Sequence, residues 1–399
     1  MKKIFYFLLI HLLLSAGVVA QAQVADAADE LGAKSTDKGD RMEFKVTTLN
    51  AEWLGCPSNG PSDESLQMRN VAAVIKAVNP DIIALQEVTM NPVKSLDSVL
   101  KHLGDEWGGH IVPWSAGSCA QSQGIIYKKA SISLTGSSLV KNGGTSNVWS
   151  SGRYPVLYEV NFLSGEGVIP VSIINIHAKA YSDKSSYDRR TTASTSLKTL
   201  LDGAAYKYKN VIVIGDYNDY LESSQCVRYG NCSESSPSPY KNFVDDAASY
   251  RALTSSFTTN IDHIIISNEL FTNVSSNATR ETSATNSVPN YRNTTSDHTP
   301  VSITLSFSKE YTAAEKNEYS QSITLYPNPV QHTLNVESNT GDIAAVKIAS
   351  MSGVVVYEQK NINAPAMSIQ TSTWPTGTYA VTITSTKGEV GSKLMMKNQ

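Results

Sequence analysis

The chain has 399 residues, of which 41 % are hydrophobic and 17 % are charged. This length suits two unequal domains, and the apolar content is enough for a sizeable core, so the composition excludes a wholly disordered chain. The formal net charge of -3 excludes the broad basic surface of a tight duplex-DNA binder, so nucleic-acid contact would need a local patch and bound metal.

The first 22 residues have the pattern of a signal peptide. Lys2 and Lys3 precede an apolar run at 4–14, and Ala20 and Ala22 suit a cleavage site. Its removal leaves 31 basic against 36 acidic residues, a net charge of -5. A membrane anchor is the alternative, but the run is short for a bilayer span, and we expect no transmembrane segment further along. Residues 23–41 are small, polar and charged, which is typical of a linker.

Residues 42–309 alternate strand-like and helix-like segments, which predicts an α/β domain. Apolar residues recur at helical spacing from 64 to 78, and Pro80 stops that helix. A second helical face is predicted from 193 to 204. Strands are predicted at 43–49, 81–85, 124–127, 156–162, 171–176, 211–214, 261–266 and 301–307.

The texture of the sequence changes after residue 309. A charged stretch at 310–321 is interpreted as a second linker. Residues 322–399 contain short alternating segments separated by turn residues, which predicts a small C-terminal β-sandwich. Its strands are predicted at 334–336, 346–348, 354–357 and 379–383.

The four cysteines form an even set in a chain with an export signal, which favours disulfides. Cys226 and Cys232 lie in one short polar loop, so we expect them to pair, and Cys56 to pair with Cys119 by elimination. Free thiols are the alternative.

Candidate catalytic residues stand at the ends of predicted strands, the edge at which open α/β sheets bind ligands. Asn50 ends the first strand, and Glu87 follows the strand at 81–85. A carboxylate there suits Mg²⁺, which takes hard oxygen ligands and keeps several waters. Taken singly, Glu87 is more often a surface charge and Asn50 a turn former.

His177 and the pair Asp216 and Asn218 follow two further strands. A lone histidine at a strand end is most often structural; its chemical role would be to stabilise a phosphoryl oxygen or to protonate a leaving group. Because residues i and i+2 of an extended chain share a face, we expect Asp216 and Asn218 to point the same way and orient a water or phosphate. An Asx-turn is the alternative.

Asp297 and His298 directly precede the last strand of this domain. A carboxylate beside a histidine can bind metal while the histidine acts as a base. Asp262, from the strand at 261–266, would fix the tautomer of His298 as the acid of a triad does. A serine hydrolase is disfavoured because the chain has no G-x-S-x-G motif.

In their order, these motifs resemble the endonuclease/exonuclease/phosphatase superfamily, which has the DNase I-like fold. The resemblance implies an α/β fold with a four-layer αββα sandwich and a divalent metal, Mg²⁺ or Mn²⁺, with Ca²⁺ as a further option. His177 makes the chain more similar to DNase I, sphingomyelinases and inositol-phosphate phosphatases than to abasic endonucleases. The matching segments are 48–50, 81–87, 175–177, 215–218, 262–263 and 296–298.

The resemblance also implies a role for each candidate residue. In the implied mechanism, His298 accepts a proton from the attacking water. It implies that Asn50, Glu87 and Asp297 bind the metal and that Asp216 and Asn218 orient the nucleophile and the phosphate. His298, paired with Asp262, would act as a general base or stabilise the phosphate. His177 would act on the leaving group and bind phosphate, and Arg153 would contact the phosphate.

The C-terminal segment resembles the sorting domain of type IX secretion. The similar motifs are 325–329 (Leu-Tyr-Pro-Asn-Pro), 351–353 (Met-Ser-Gly), 374–379 (Trp-Pro-Thr-Gly-Thr-Tyr) and 393–397 (Lys-Leu-Met-Met-Lys). The resemblance implies export through the periplasm by the type IX machinery, followed by release or attachment to the cell surface. A carbohydrate-binding or adhesive β-domain is the alternative.

Three functions are compatible with this sequence. The first is a secreted, metal-dependent endonuclease that hydrolyses nucleic acid, and the second is a secreted phosphatase or phospholipase C-like enzyme on the same fold. The third is a non-catalytic surface binding protein, which the complete set of polar residues disfavours. We expect a monomer.

Overall fold

The computed structural model describes residues 41–56, 58–89, 95–113, 119–163, 168–206, 209–308, 318–350 and 355–398. The predicted signal peptide, nearly all of the first linker and most of the second lie outside these residues. Among them, no helix combines the length and apolarity needed to cross a membrane.

The first part of the chain folds into two six-stranded sheets with helices outside them. Its strands are β1 (Arg41–Leu54), β2 (Ile82–Thr89), β3 (Trp107–Val112), β4 (Gln121–Lys128), β5 (Ile132–Leu139), β6 (Val156–Leu163), β7 (Val168–His177), β8 (Val211–Asp216), β9 (Tyr250–Leu253), β10 (Asp262–Ser267), β11 (Val274–Arg280) and β12 (Val301–Ser308). Its helices are α1 (Glu64–Val78), α2 (Ser95–Leu103), α3 (Lys184–Leu201), α4 (Gln225–Arg228), α5 (Lys241–Asp245), α6 (Thr282–Asn286) and α7 (Tyr291–Thr294), with a 3₁₀ helix at Asn268–Asn273.

Helix α1 shows how local sequence sets the boundaries of an element. The Asp63 carboxylate caps its first turn by accepting from the backbone N–H of Leu66 at 2.9 Å. At the other end Asn79 adopts a left-handed conformation with φ of 54°, and its N–H bonds to the carbonyl of Ile75. The helix therefore runs from 64 to 78, as the sequence predicts.

The two sheets pack face to face between two helical layers. Their strand orders are β11-β12-β1-β2-β4-β3 and β5-β6-β7-β8-β10-β9. Phe44 and Phe162 meet between the sheets with ring centroids 4.7 Å apart, within a buried apolar cluster drawn from both. Separate clusters join α1 and α2 to the first sheet and α3 and α5 to the second. This arrangement confirms the four-layer αββα sandwich.

Four strands of this domain are not predicted from the sequence, and all four are sheet edges. They are β3, β5, β9 and β11. An edge strand pairs on one side only, so solvent-facing polar residues blur its apolar pattern. In β11, for example, no residue is fully buried.

The C-terminal part is the predicted β-sandwich, with one three-stranded and one four-stranded antiparallel sheet around a core of its own. Its elements are α8 (Glu318–Ser322), β13 (Ile323–Tyr326), β14 (Thr333–Ser338), β15 (Ile343–Ser350), β16 (Val355–Ala364), β17 (Ala366–Gln370), β18 (Gly377–Ser385) and β19 (Val390–Lys397). The motif at 351–353 lies outside the described residues.

Both predicted disulfides are present, Cys56–Cys119 and Cys226–Cys232. The first ties the end of β1 to the segment before β4, and the second closes the loop that contains α4. The pairing predicted from the sequence is therefore confirmed.

Gly215 allows β7 and β8 to meet directly below the strand ends. Its φ is +144°, and an added Cβ would lie 2.0 Å from the carbonyl oxygen of Ile176. No side chain can be accommodated there without moving the backbone of one strand.

We therefore expect Gly215→Ala to lower the free energy of unfolding by about 3 kcal/mol or more. Gly136→Ala on β5 is the matched control, because its added Cβ would meet nothing closer than 3.8 Å. Urea unfolding of both variants measures the difference. Equal stability of the two variants would contradict the role given to Gly215.

Candidate active site

Three candidate residues lie side by side on neighbouring strands of the second sheet. His177 at the end of β7 pairs in register with Asp216 at the end of β8. Asp216 in turn pairs with Asp262 at the start of β10. The sheet therefore sets an imidazole and two carboxyl groups in one row at its edge.

Asn50 and Glu87 belong to the adjacent strands β1 and β2 of the first sheet. Their parallel ladder shifts register just after Asn50, and Glu87 has a φ of 60°. The Glu87 carboxylate accepts from the Asn50 amide at 3.0 Å and from the backbone N–H of Trp53 at 2.9 Å. Strained backbone of this kind persists only where the surroundings fix it.

The two sheets meet at the buried Asp216 carboxylate. The Asn50 amide, from the opposite sheet, donates to its Oδ2 at 3.0 Å. His177 Nε2 lies 3.5 Å from Asp216 Oδ2 and 3.5 Å from Glu87 Oε1. Four residues of two sheets thus form a single cluster.

Asn218 reaches this cluster through an Asx-turn, the alternative to strand alternation at this position. Its φ is 50°, so the chain is not extended there. The turn lets its backbone N–H donate to Asp216 Oδ1 at 2.8 Å and its amide lie 3.2 Å from Oδ2. The two side chains do converge, but through a left-handed turn in place of strand alternation.

His298 comes from the loop before β12, and two contacts fix this part of the chain. His298 Nδ1 lies 2.8 Å from Asp262 Oδ2, and the hydroxyl of the nearby Ser296 donates to the Asn50 carbonyl at 2.6 Å. Its Nε2 points into the cluster, 3.8 Å from Asp216 Oδ2 and 3.8 Å from Asp297 Oδ1. Asp297 is open to solvent, with a side chain that is 60 % exposed.

The pKa values of Asp216 and His298 are both raised, and these shifts affect which group can accept a proton. Burial is the largest influence on Asp216 and raises its pKa to about 6, against a lowering by His298. Burial lowers the pKa of His298, but Asp262, Asp216 and Asp297 outweigh it and raise that pKa to about 10. At neutral pH His298 is therefore a cation.

His177 behaves differently from His298. Burial, Arg153 and His298 together lower its pKa well below the usual value, so the ring is neutral. Its 3.5 Å contacts with the two carboxylates are therefore those of a neutral ring and not ion pairs, and its Nδ1 is buried without a hydrogen-bond partner. This leaves Nε2–H as the polar group that His177 presents to the cluster.

Arg153 lies behind His177, and protein groups surround its guanidinium. Nε donates to the carbonyl of His177 at 3.1 Å, and Nη2 donates to that of Ala178 at 3.0 Å. Nη1 bonds to Gln121, and burial lowers the pKa of Arg153 to about 10. Its contacts fix the backbone that leaves β7.

A third carboxylate near Glu87 and Asp297 was not predicted from the sequence. Glu52, with φ of 48°, accepts from the backbone N–H of Asp297 at 2.9 Å. Burial and then repulsion from Asp297 and Glu87 raise its pKa. None of the three carboxylates pairs with a lysine or arginine among the described residues.

This excess of negative charge fits a hard divalent cation. The structure does not supply a complete protein cage: within the described ranges, no three His, Cys, Asp or Glu side chains are arranged to hold a metal. Mg²⁺ commonly takes only one or two carboxylates and completes its shell with water and substrate phosphate. The donor set is therefore compatible with such an ion.

Buried amides below the cluster were also missed by the sequence analysis. Gln86 donates to Asn175 at 2.8 Å across the sheets, and Asn175 donates to carbonyls of Leu85 and Gly124. Gln67 of α1 donates to the carbonyls of residues 51, 52 and 295 and so ties the end of β1 to the loop that carries His298. These amides satisfy backbone groups that would otherwise be buried unpaired.

A fully buried ion pair holds the loops beyond His177 and Asn218. Arg190 Nη2 lies 2.8 Å from Asp219 Oδ2, and both side chains are 0 % exposed. Arg190 Nη1 also donates to the carbonyls of Lys179 and Tyr181. An arginine in a polar helix gives no sequence signal for this contact, since charged residues in helices are mostly solvated.

Two family models match the chain. The model described as "Endonuclease/Exonuclease/phosphatase family" matches residues 47–298. The model described as "Secretion system C-terminal sorting domain" matches residues 324–397. No curated protein matches the sequence significantly.

Solved structures of similar fold have low sequence identity to the chain. An endonuclease/exonuclease/phosphatase from Beutenbergia cavernae DSM 12333 is 14 % identical over 89 % of this chain and 99 % of its own, with a TM-score of 0.46. The human Nocturnin catalytic domain with bound sulfate is 14 % identical over 67 % and 97 %, with a TM-score of 0.45. TDP2 from C. elegans is 18 % identical over 70 % and 80 %, with a TM-score of 0.41. At such values these likenesses indicate nothing about the substrate.

The Arg190–Asp219 pair predicts a large stability effect. Arg190→Gln would leave the Asp219 carboxylate buried without a charge partner, so we expect a loss of about 3–5 kcal/mol in the free energy of unfolding. Lys184→Gln on the same helix removes the exposed pair with Asp188 and a distant contact with the Tyr187 ring, and should cost about 1 kcal/mol or less. Urea unfolding compares the two variants, and similar losses would contradict the structural role of the buried pair.

Proposed function

Because the chain belongs to the endonuclease/exonuclease/phosphatase family, we propose that it is a secreted, metal-dependent endonuclease that hydrolyses phosphodiester bonds of nucleic acid. Family membership makes it a phosphoester hydrolase, and enzymes of this family generally use divalent metal ions. The sorting domain directs its export, so the chain is secreted or attached to the cell surface.

One observation carries the catalytic proposal: a buried carboxyl group faces an imidazole that a second carboxylate orients. Asp216 Oδ2 lies 3.8 Å from His298 Nε2, while Asp262 holds the other nitrogen of His298. The pKa of Asp216, near 6, suits a general base close to neutral pH. The imidazolium suits binding of the anionic phosphate.

The roles follow from this charge distribution. Asp216 takes a proton from a water that Asn218 helps to orient, and that water attacks phosphorus. The bond to the leaving oxygen breaks, and this oxygen takes up a proton from solvent, so the products are an alcohol and a phosphomonoester. His298 binds a phosphoryl oxygen as a cation, in place of the general-base role that the sequence analysis favoured.

His177 and Arg153 support the same step. The neutral His177 ring donates from Nε2 to a phosphoryl oxygen, and does not act as an acid because its pKa is lowered. Arg153 acts as a positioning residue, since its guanidinium contacts the carbonyls of His177 and Ala178. We prefer this role to the phosphate contact expected from the sequence.

The metal would be held by Glu87, Asn50 and Asp297, with Glu52 close to them. A bound Mg²⁺ or Mn²⁺ neutralises charge that develops on the phosphoryl oxygens. Ca²⁺ would accept the same oxygen ligands.

A cavity next to the loop that carries His298 contains basic residues, which supports a polyanionic substrate. It has a volume of about 560 Å³, and its lining includes Arg280 and Arg292. The Tyr291 hydroxyl, also in the lining, donates to the His298 carbonyl at 2.8 Å. In the described part of the chain neither arginine has a carboxylate partner. In a chain of net negative charge, these two arginines support a nucleic-acid substrate, which would need a local basic patch.

We expect Glu87→Ala and His298→Gln each to lower kcat on plasmid DNA by at least about 10²-fold with the fold intact, because charge stabilisation at phosphate is lost. Glu43→Ala, at the exposed far end of the same strand as Asn50, and His102→Gln, at an exposed position of α2, are controls that should retain full activity. Wild-type turnover by either site variant would refute the assignment of these residues.

Metal removal provides a separate test. Exhaustive chelation should abolish nicking of plasmid DNA, and added Mg²⁺ or Mn²⁺ should restore it, because the carboxylates otherwise repel the phosphate. Circular dichroism should show the same fold in both states. Full activity in chelator would overturn the proposed metal dependence, whereas chelator-sensitive release of phosphate from a phosphomonoester without DNA cleavage would favour the phosphatase alternative.

A further inference from the structure

The loop that follows His177 presents an exposed aromatic ring. Tyr181 is 74 % exposed and has a φ of +79°. A tyrosine in this backbone region is strained relative to a relaxed conformation. Gly or Asn would adopt it more easily, so local folding does not explain a tyrosine here.

The protein holds this strained residue firmly in place. Arg190 Nη1 donates to the carbonyl of Lys179 at 2.7 Å and to that of Tyr181 at 2.8 Å. The same guanidinium is fixed by the fully buried Asp219. These hydrogen bonds hold the strained backbone of the loop in place, and the Tyr181 ring is exposed at the surface.

A cation accompanies the ring. Lys179 Nζ lies 4.2 Å from the Tyr181 ring centroid, within the range of a cation–π contact. Lys179 comes two residues after His177, whose imidazole lies in the catalytic cluster. A positive charge and an aromatic face thus occur together in the loop that follows His177.

A second exposed tyrosine lies close to this loop. Tyr229 is 61 % exposed and belongs to the loop closed by the Cys226–Cys232 disulfide. In that loop the Asn231 amide donates to the carbonyl of Ser182 at 3.1 Å. The disulfide loop therefore supports the Tyr181 loop from the side.

We propose that Tyr181 is a stacking platform for an unpaired nucleobase next to the scissile phosphate, with Lys179 contacting a neighbouring phosphate. This inference rests on the proposed nuclease function and extends it to substrate class. Stacking on a tyrosine needs a base whose face is free, which a duplex does not offer, so the enzyme prefers single-stranded or unpaired nucleic acid.

The test compares three substrates of equal length: a single-stranded oligonucleotide, the same strand in a duplex, and an abasic oligomer that keeps the phosphates but lacks bases. The full chain should cleave the single strand with the highest kcat/KM. Tyr181→Ala should raise KM for the single strand about 5- to 150-fold, the equivalent of about 1–3 kcal/mol per stacked base. The KM for the abasic oligomer should rise far less.

Two variants complete the design. Tyr181→Phe keeps the ring and should retain most of the single-strand affinity. Tyr326→Ala, an exposed tyrosine of the C-terminal sandwich, should behave as wild type. Equal losses on the single strand and the abasic oligomer would show that Tyr181 only shapes the loop, and would overturn the inference.

Failure of the inference is distinguishable from failure of the nuclease proposal. An unchanged KM of Tyr181→Ala on an oligonucleotide that the wild type cleaves overturns the inference alone. A wild type that hydrolyses bis(p-nitrophenyl) phosphate but none of the oligomers overturns the nuclease proposal, and the inference with it.

Discussion

The hydrogen bond from the Asn50 amide to the Asp216 carboxylate joins the two sheets at the candidate site. Each sheet by itself provides only part of the cluster: one contributes Asn50 and Glu87, and the other His177, Asp216 and Asp262. Face-to-face packing of the two apolar faces brings the strand ends together. The amides of Gln86 and Asn175 then fix the separation of the sheets just below.

The second constraint is that two buried carboxyl groups, Asp216 and Asp219, differ in whether a cationic side chain pairs with them. Asp216 is buried with a raised pKa, whereas the equally buried Asp219 has a full partner in Arg190. The paired charge stabilises the loops, and the incompletely compensated one is available for chemistry. Strained residues occur in the same region, at Glu52, Glu87 and Asn218.

The two disulfides suit the compartment to which the sorting domain directs the chain. The Cys56–Cys119 bridge fixes the bulged end of β1, and the Cys226–Cys232 bridge closes the loop beside Tyr181. Disulfides form and persist outside the cytoplasm, where the sorting domain directs the chain. The loops that surround the candidate site are therefore stabilised by bonds suited to the compartment in which the enzyme acts.

The sequence by itself determined the α/β class, the central strands and the end of α1 at Val78, because each leaves a local pattern. The disulfide pairing followed from the short loop shared by Cys226 and Cys232 and from elimination, and the polar residues of the cluster stand at the ends of predicted strands. It did not determine the edge strands, whose polar faces hide their periodicity. Glu52 and Gln67 were also missed, since each contacts the loop at 295–297 far along the chain. Arg190 was missed because a charged residue in a polar helix is mostly solvated. Only the tertiary structure decided which groups carry charge: burial and neighbours from separate strands make His298 a cation and His177 neutral, and no local pattern encodes those surroundings.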